Sequence, residues 1–199
     1  MANDALSRTG FFPYRKHVRI NVYVANTGLN LFRWQPVVVN NTGQVETADI
    51  ADNSEILGSV YGFLDTTLSG LPTNLTDLTQ NSFLDSLNNA RALVLDDPEQ
   101  LYIMEEDTGG TALTASAVGN NVNFIYTATT GNTTTGVSNA LIDRSAVVTS
   151  GTGGQLRIVR LAEDIVNTDG TTNGAGDYGK WVVKINKYPY GATFRGVAI

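Results

Sequence analysis

The apolar runs of this chain are short, β-prone and regularly cut by turn signals, which leaves little room for anything but an all-β fold. VRINVYVA (18–25) ends at Asn26-Thr27-Gly28. LFRWQPVVV (31–39) follows, and its Pro36 implies an edge or a bulge, because proline cannot donate to a ladder. EILGSVYGF (55–63) carries two glycines that mark a bend or a close backbone approach. RALVL (91–95), QLYIM (100–104), VNFIY (122–126), QLRIVRLA (155–162) and KWVVKIN (180–186) complete the set. In QLRIVRLA, Leu156, Ile158 and Val159 are expected to face in, with Arg157 and Arg160 reaching out. Thr and Asn make up 43 residues and Gly another 20. Thr suits strands, and Asn and Gly suit the turns between them.

The expected architecture is a single β-barrel or sandwich-like body over 18–190. A basic, aromatic N-terminal arm (1–17) precedes it and a tail (191–199) follows. SGLPTNLTDLTQNSFLDSLNNA (69–90) breaks the pattern, with Leu75, Leu78, Leu84 and Leu87 at roughly helical spacing. It reads as a partly helical insertion. TATTGNTTTG (127–136) and NTDGTTNGAGDYG (167–179) read as polar surface loops. No internal repeat is legible.

A chain of 199 residues buries roughly 70% of its unfolded surface and folds without staples. Cysteine is absent, which excludes disulfides, thiolate metal sites and cysteine nucleophiles. The N-terminal stretch lacks the apolar core of a signal peptide, and no run approaches the roughly 20 apolar residues of a membrane span. The expected protein is soluble, made in a cytoplasm, and has no membrane partner. Residues 1–45 carry a net charge of +4, residues 46–107 carry −12, and the whole chain −6. That total argues against nucleic acid as a partner, which needs a dense basic patch. A basic arm on an acidic body suggests docking to an acidic protein surface.

The chemistry-bearing residues are few. LVLDDPEQLYIMEED (93–107) packs six carboxylates around two apolar runs. Asp97-Pro98-Glu99-Gln100 suits a type I turn, so the stretch reads as a β-hairpin with Asp96 and Asp97 in water and Glu105, Glu106 and Asp107 at its far end. The two knots would then lie roughly 15–20 Å apart, too far for an acid/base dyad. His17 is the only histidine. Ser138, in Gly136-Val137-Ser138-Asn139-Ala140, lacks the strand-to-helix setting of a nucleophile elbow. Gly174, Gly176 and Gly179 spell a G-x-G-x-x-G, but a strand follows where a dinucleotide site needs a helix N-terminus. Asp169, Asn173 and Asp177 could offer oxygens to calcium, although Asp and Asn are ordinary turn residues too. The expectation is that the chain is not an enzyme.

A resemblance enters with the same residues. ALVLDDPEQLYIMEED (92–107) is followed by Val118-Gly119-Asn120-Asn121, Thr135-Gly136-Val137-Ser138 and Leu141-Ile142-Asp143. LRIVRL (156–161), Asn167 and KWVVKIN (180–186) then close the series. This order of short motifs resembles that of tailed-bacteriophage head decoration (cement or auxiliary capsid) proteins, over about half of the chain. The resemblance implies a β-barrel-like virion protein on the capsid exterior, with the major capsid protein as partner and neither reaction nor cofactor. The chain departs from the pattern in its 69–90 insertion, and in Lys187-Tyr188, where a histidine would be expected.

For such a role the arm is the expected contact. Phe11, Phe12 and Tyr14 would anchor it, because aromatics dominate interface cores. Arg15, Lys16 and Arg19 would form a charged rim. The other place for the rings is the chain's own core. Self-association is also expected, as a homotrimer in preference to a dimer. The alternative function is a head-fibre or tail receptor-binding protein that stacks glycan on Trp34, Trp181 or Tyr178, with Trp181 more at home in the core.

Overall fold

A computed structural model describes residues 10–15, 19–26, 29–50, 54–64, 83–84, 91–148, 153–167 and 170–190. The strands in chain order are β1 (Phe12–Pro13), β2 (Ile20–Val24), β3 (Leu31–Phe32), β4 (Pro36–Val39), β5 (Val45–Thr47), β6 (Gly58–Leu64) and β7 (Phe83–Leu84). They continue with β8 (Arg91–Leu95), β9 (Leu101–Glu105), β10 (Asn121–Asn132), β11 (Val137–Val148), β12 (Leu156–Leu161) and β13 (Lys180–Ile185). Among the described residues the only helical segment is a 3-10 turn at Ala115–Ala117. The chain is all-β. One antiparallel sheet runs β1-β9-β13-β12-β10-β11, a second runs β2-β8-β6-β4-β5, and β3 pairs with β7.

Several expectations need correcting. The 31–39 run is two strands, broken at Trp34, whose φ is +61°. TATTGNTTTG is not a loop: β10 continues through Asn132, and a tight turn closes with Gly136 N–H donating to Asn132 O at 2.7 Å. Thr127 and Thr129 are exposed on this long hairpin while Gly131 is buried, a pattern that polarity alone could not distinguish from a loop. Within 69–90, Phe83–Leu84 pair antiparallel with Leu31–Phe32, so those two residues are strand rather than helix. The rest of that stretch, and the tail 191–199, lie outside the described residues.

The carboxylate-rich stretch is the largest revision. Its turn is as read: Gln100 N–H donates to Asp97 O at 3.0 Å, and Glu99 N–H to Asp97 Oδ1 at 2.7 Å. The flanking strands, however, do not pair with each other. β8 lies in one sheet and β9 in the other, so the turn carries the chain between sheets.

That crossing separates two halves of one topology. In the first, β2-β8-β6-β4-β5 places its strands in the order first, fifth, fourth, second, third; β9-β13-β12-β10-β11 repeats that order in the second half. The register repeats with it. Val22 faces Leu93 as Ile103 faces Val182, Val37 faces Gly58 as Val122 faces Leu156, and Val39 faces Val45 as Phe124 faces Ile142. The fourth strand of each half is bulged against the fifth at the same place, Tyr61 in one and Val159 in the other. Each sheet curls until a single parallel bridge joins its first and third strands, Ala25 to Val45 and Glu106 to Ile142. One bridge is not a ladder, and neither sheet is a closed barrel. Even the corner before the second strand recurs. Trp34 N–H donates to Val60 O and Gly119 N–H to Ile158 O, and both residues are left-handed, with φ of +61° and +85°. The absence of a legible repeat is therefore a fact of side chains and not of backbone.

The cores differ accordingly. The second half packs Tyr102, Met104, Phe124, Ile142, Trp181 and Val183; the equivalent first-half positions hold Asn21, Tyr23, Val39, Val45, Ala92 and Val94. A Trp in place of Ala on the same backbone needs a different set of neighbours, so each core is filled by its own solution.

Candidate functional site

The described part of the expected docking arm, residues 10–15, is built into the body. Gly10 N–H donates to Ala140 O at 3.0 Å in the second half, and Phe11 N–H donates to Trp34 O at 2.8 Å in the first. Ser59 Oγ closes the join by donating to Phe11 O at 2.9 Å. Phe11 is completely buried, edge-on to Tyr102 and Phe124 at centroid distances of 5.4 and 5.7 Å. It is a core residue of the second half and offers nothing to a partner. Phe12 packs edge-on to Trp34 at 5.0 Å, beside Leu95 and Ile20. Phe12–Pro13 form β1 on the edge of β9, so residues 10–15 belong to the body.

Tyr14 is also mostly buried, over Ile103, Ala162 and Val182. Its hydroxyl donates to Asp164 Oδ2 at 2.6 Å and accepts a bond from Arg160, which pairs with Asp164 Oδ1 at 2.9 Å. Arg15 and Arg160 guanidinium carbons stand 5.0 and 5.1 Å from the Tyr14 ring centroid, the geometry of cation–π attraction. The Tyr14 hydroxyl, then Arg160, hold the Asp164 carboxyl down at about 2.

Of the expected rim, Arg15 is exposed, and Lys16 and His17 lie outside the described residues. Arg19 is committed to the chain itself. Its Nε donates to Asp96 Oδ1 at 2.7 Å and its Nη2 to Tyr188 OH at 3.0 Å. Asp96, expected in water, is 2% exposed. Asn21 Nδ2 and Tyr23 OH donate to its Oδ2 at 2.8 and 2.5 Å, and Tyr188 OH donates to its backbone oxygen at 2.6 Å. The Asp96 bond raises the Arg19 pKa, and burial, then Asp96, raises that of Tyr23. Tyr188, in the Lys187-Tyr188 pair where the resemblance would have a histidine, here ties the Asp96 backbone oxygen to Arg19.

A second buried charge group lies at the far end of β9. Glu106 is 0% exposed. Its Oε2 accepts Leu113 N–H at 3.1 Å, whereas Oε1 lacks a hydrogen bond of normal geometry and stands 4.0 Å from Arg144 Nη1. Burial pushes the carboxyl up to about 7, against the opposing pull of the Leu113 amide and Arg144. Arg144 spends its donors on Gly109 O at 2.8 Å, Thr108 O at 2.5 Å and Asp177 Oδ1 at 2.7 Å. Asp107 is raised as well, mainly by burial and also by neighbouring Asp143.

The other candidates have local employment. Ser138 Oγ donates to Thr130 O at 3.2 Å from a fully buried position. Asn173 accepts Lys180 N–H at 2.9 Å and donates to Lys180 O at 2.8 Å, while Asp177 pairs with Arg144. Asp169 lies outside the described residues. Among the described residues no three His, Cys, Asp or Glu side chains are grouped to hold a metal. Gly179 N–H closes a turn onto Gly176 O at 2.8 Å, which is what that glycine pattern builds. Trp34 and Trp181 are buried; of the three proposed glycan-stacking rings only Tyr178, at 37%, is exposed.

Sequence reasoning missed Arg160, Asp164 and Tyr188. Arg160 and Asp164 pair locally, but their bonds to Tyr14 and that of Tyr188 to Asp96 join residues more than 90 apart, which no local pattern encodes. No protein-family model, curated protein or solved structure matches the chain.

Proposed function

We propose that this chain is a structural virion protein that binds the outer surface of a bacteriophage capsid and stiffens the head, without catalysis or cofactor. The observation that carries the reading is the order of short motifs between Ala92 and Asn186. Most of that span coincides with one five-stranded half, β9 to β13, so the resemblance follows a unit of the fold. The reading is supported by an all-β body whose two sheets each curl until one bridge joins the first and third strands of each half, although neither closes into the expected barrel. Two β halves, each with its own core and joined by the Gly10–Phe11 segment, suit a protein that must hold its shape while bridging neighbouring capsid subunits.

Because Phe11 and Tyr14 serve the fold, the surface offered to the capsid is the charged skin around the arm, with Arg15 and the exposed part of Arg160 at its centre. Co-sedimentation of the purified chain with undecorated heads, followed by cryo-electron microscopy, tests the reading. Regular density over the capsomers is expected. Density at the tail, or binding to host cells without binding to heads, overturns it in favour of glycan recognition. Arg15→Gln is expected to weaken attachment and reduce its salt sensitivity, because rim charges act over a screened distance. Titration of binding against ionic strength reads that change.

A further inference from the structure

The repeated register makes β2 and β9 equivalent, but their outer edges are treated differently. On β9, β1 lies antiparallel with Phe12 opposite Ile103 and Pro13 opposite Tyr102, and Tyr14 N–H donates to Leu101 O at 2.8 Å. Leu101 and Ile103 therefore turn their backbone groups to that edge, and Tyr14 covers the side chain of Ile103. The equivalent residues on β2 are Ile20 and Val22. Among the described residues β5 meets that edge only beyond the end of β2, where Ala25 bridges Val45 and Asn26 N–H donates to Val45 O at 2.8 Å; no strand lies against Ile20–Val24 on that side, and Val22 and Val24 are 49% and 40% exposed.

The strand carries none of the usual protections. Ile-Asn-Val-Tyr-Val contains no charge and no proline, and it pairs with β8 without a bulge. Such an edge is a template for another strand. Its sequence is also complementary to itself. Antiparallel pairing about Asn21 sets Ile20 of each copy opposite Val22 of the other, apolar against apolar. Arg19 falls opposite Tyr23, so the dyad brings no like charges together. The stretch used, 20–22, matches the 101–103 stretch that β1 covers in the second half.

We propose that the β2 edge is an interface between two copies of this chain, which pair β2 to β2 about a twofold axis. The arrangement is isologous, each copy giving and receiving the same contacts. It makes a dimer, in place of the trimer that the sequence suggests, and it stands independently of the capsid role.

Sedimentation velocity of the full chain over a range of concentrations tests this. The wild type is expected to shift from monomer to dimer, and Val22→Lys to stay monomeric with unchanged circular dichroism. The cysteine-free chain allows a second reading. Val22→Cys treated with a short bismaleimide is expected to give covalent dimers, and Val159→Cys, on an exposed residue of β12, to give far fewer. A wild type that is monomeric throughout, an assembly that survives Val22→Lys, or equal cross-linking of the two cysteines overturns the proposal. If Val22→Lys does not fold, the cross-linking comparison decides.

Discussion

Two buried carboxylates show how differently one residue type behaves when its surroundings are settled by distant parts of the chain. Asp96 gathers Arg19, Asn21 and Tyr23; Asp96→Ala leaves the half-buried Tyr23 and the exposed Asn21 without their acceptor. The expected cost is about 1–3 kcal/mol in urea unfolding, since Arg19 can turn to water. Glu106 has weaker support, and burial dominates. Its folded pKa of about 7 lies above the ordinary 4.5, so the folded state binds the extra proton. Its contribution is therefore complete below about 4.5 and is lost as pH rises through about 7. Glu106→Gln is expected to flatten the fall in stability between those values, measured by denaturant midpoints across that window. In the sequence both acids sit in one hydrophilic-looking stretch. Local pattern assigned Asp96 to water and Glu106 to a hairpin end, because nothing local reveals that β8 and β9 part company between them.

At the scale of elements, strands were legible and their partners were not. RALVL is a strand to the residue, and the Asp97–Gln100 turn follows from Asp and Pro at the positions that turn requires. A turn of that kind serves a hairpin and a passage between sheets equally well. The glycine in β10 shows what fixes element against element. A Cβ on Gly131 would lie 2.2 Å from the Phe32 ring, so the second half's long hairpin meets β3 with no space to spare. Gly131→Ala is expected to cost about 1–3 kcal/mol by overpacking, with Phe32→Leu recovering part of it in thermal unfolding. The TATTGN run looks like a loop because this glycine and its threonines fit a loop as well as they fit a strand against a ring.

For the whole molecule, the two halves escaped sequence reading because a shared backbone does not require shared side chains. Ala92 and Trp181 occupy one position of the plan and have nothing in common chemically. The arm was misread for a related reason: three aromatics beside basic residues suit an interface, yet equally suit a seam between two bodies. Phe11→Ala tests the seam. It removes a fully buried ring and is expected to cost about 3–5 kcal/mol, seen as a lowered midpoint of chemical unfolding. Deleting residues 10–15 is expected to cost more, and to loosen both halves together.

The same seam bears on how the chain comes off the ribosome. Gly10 and Phe11 are made early, but their partners Tyr102, Phe124 and Ala140 emerge only after the first half has been synthesised. Until they do, the Phe11 ring lacks the second-half core that it fills, and the seam can close only after a segment made before either half has met partners made much later.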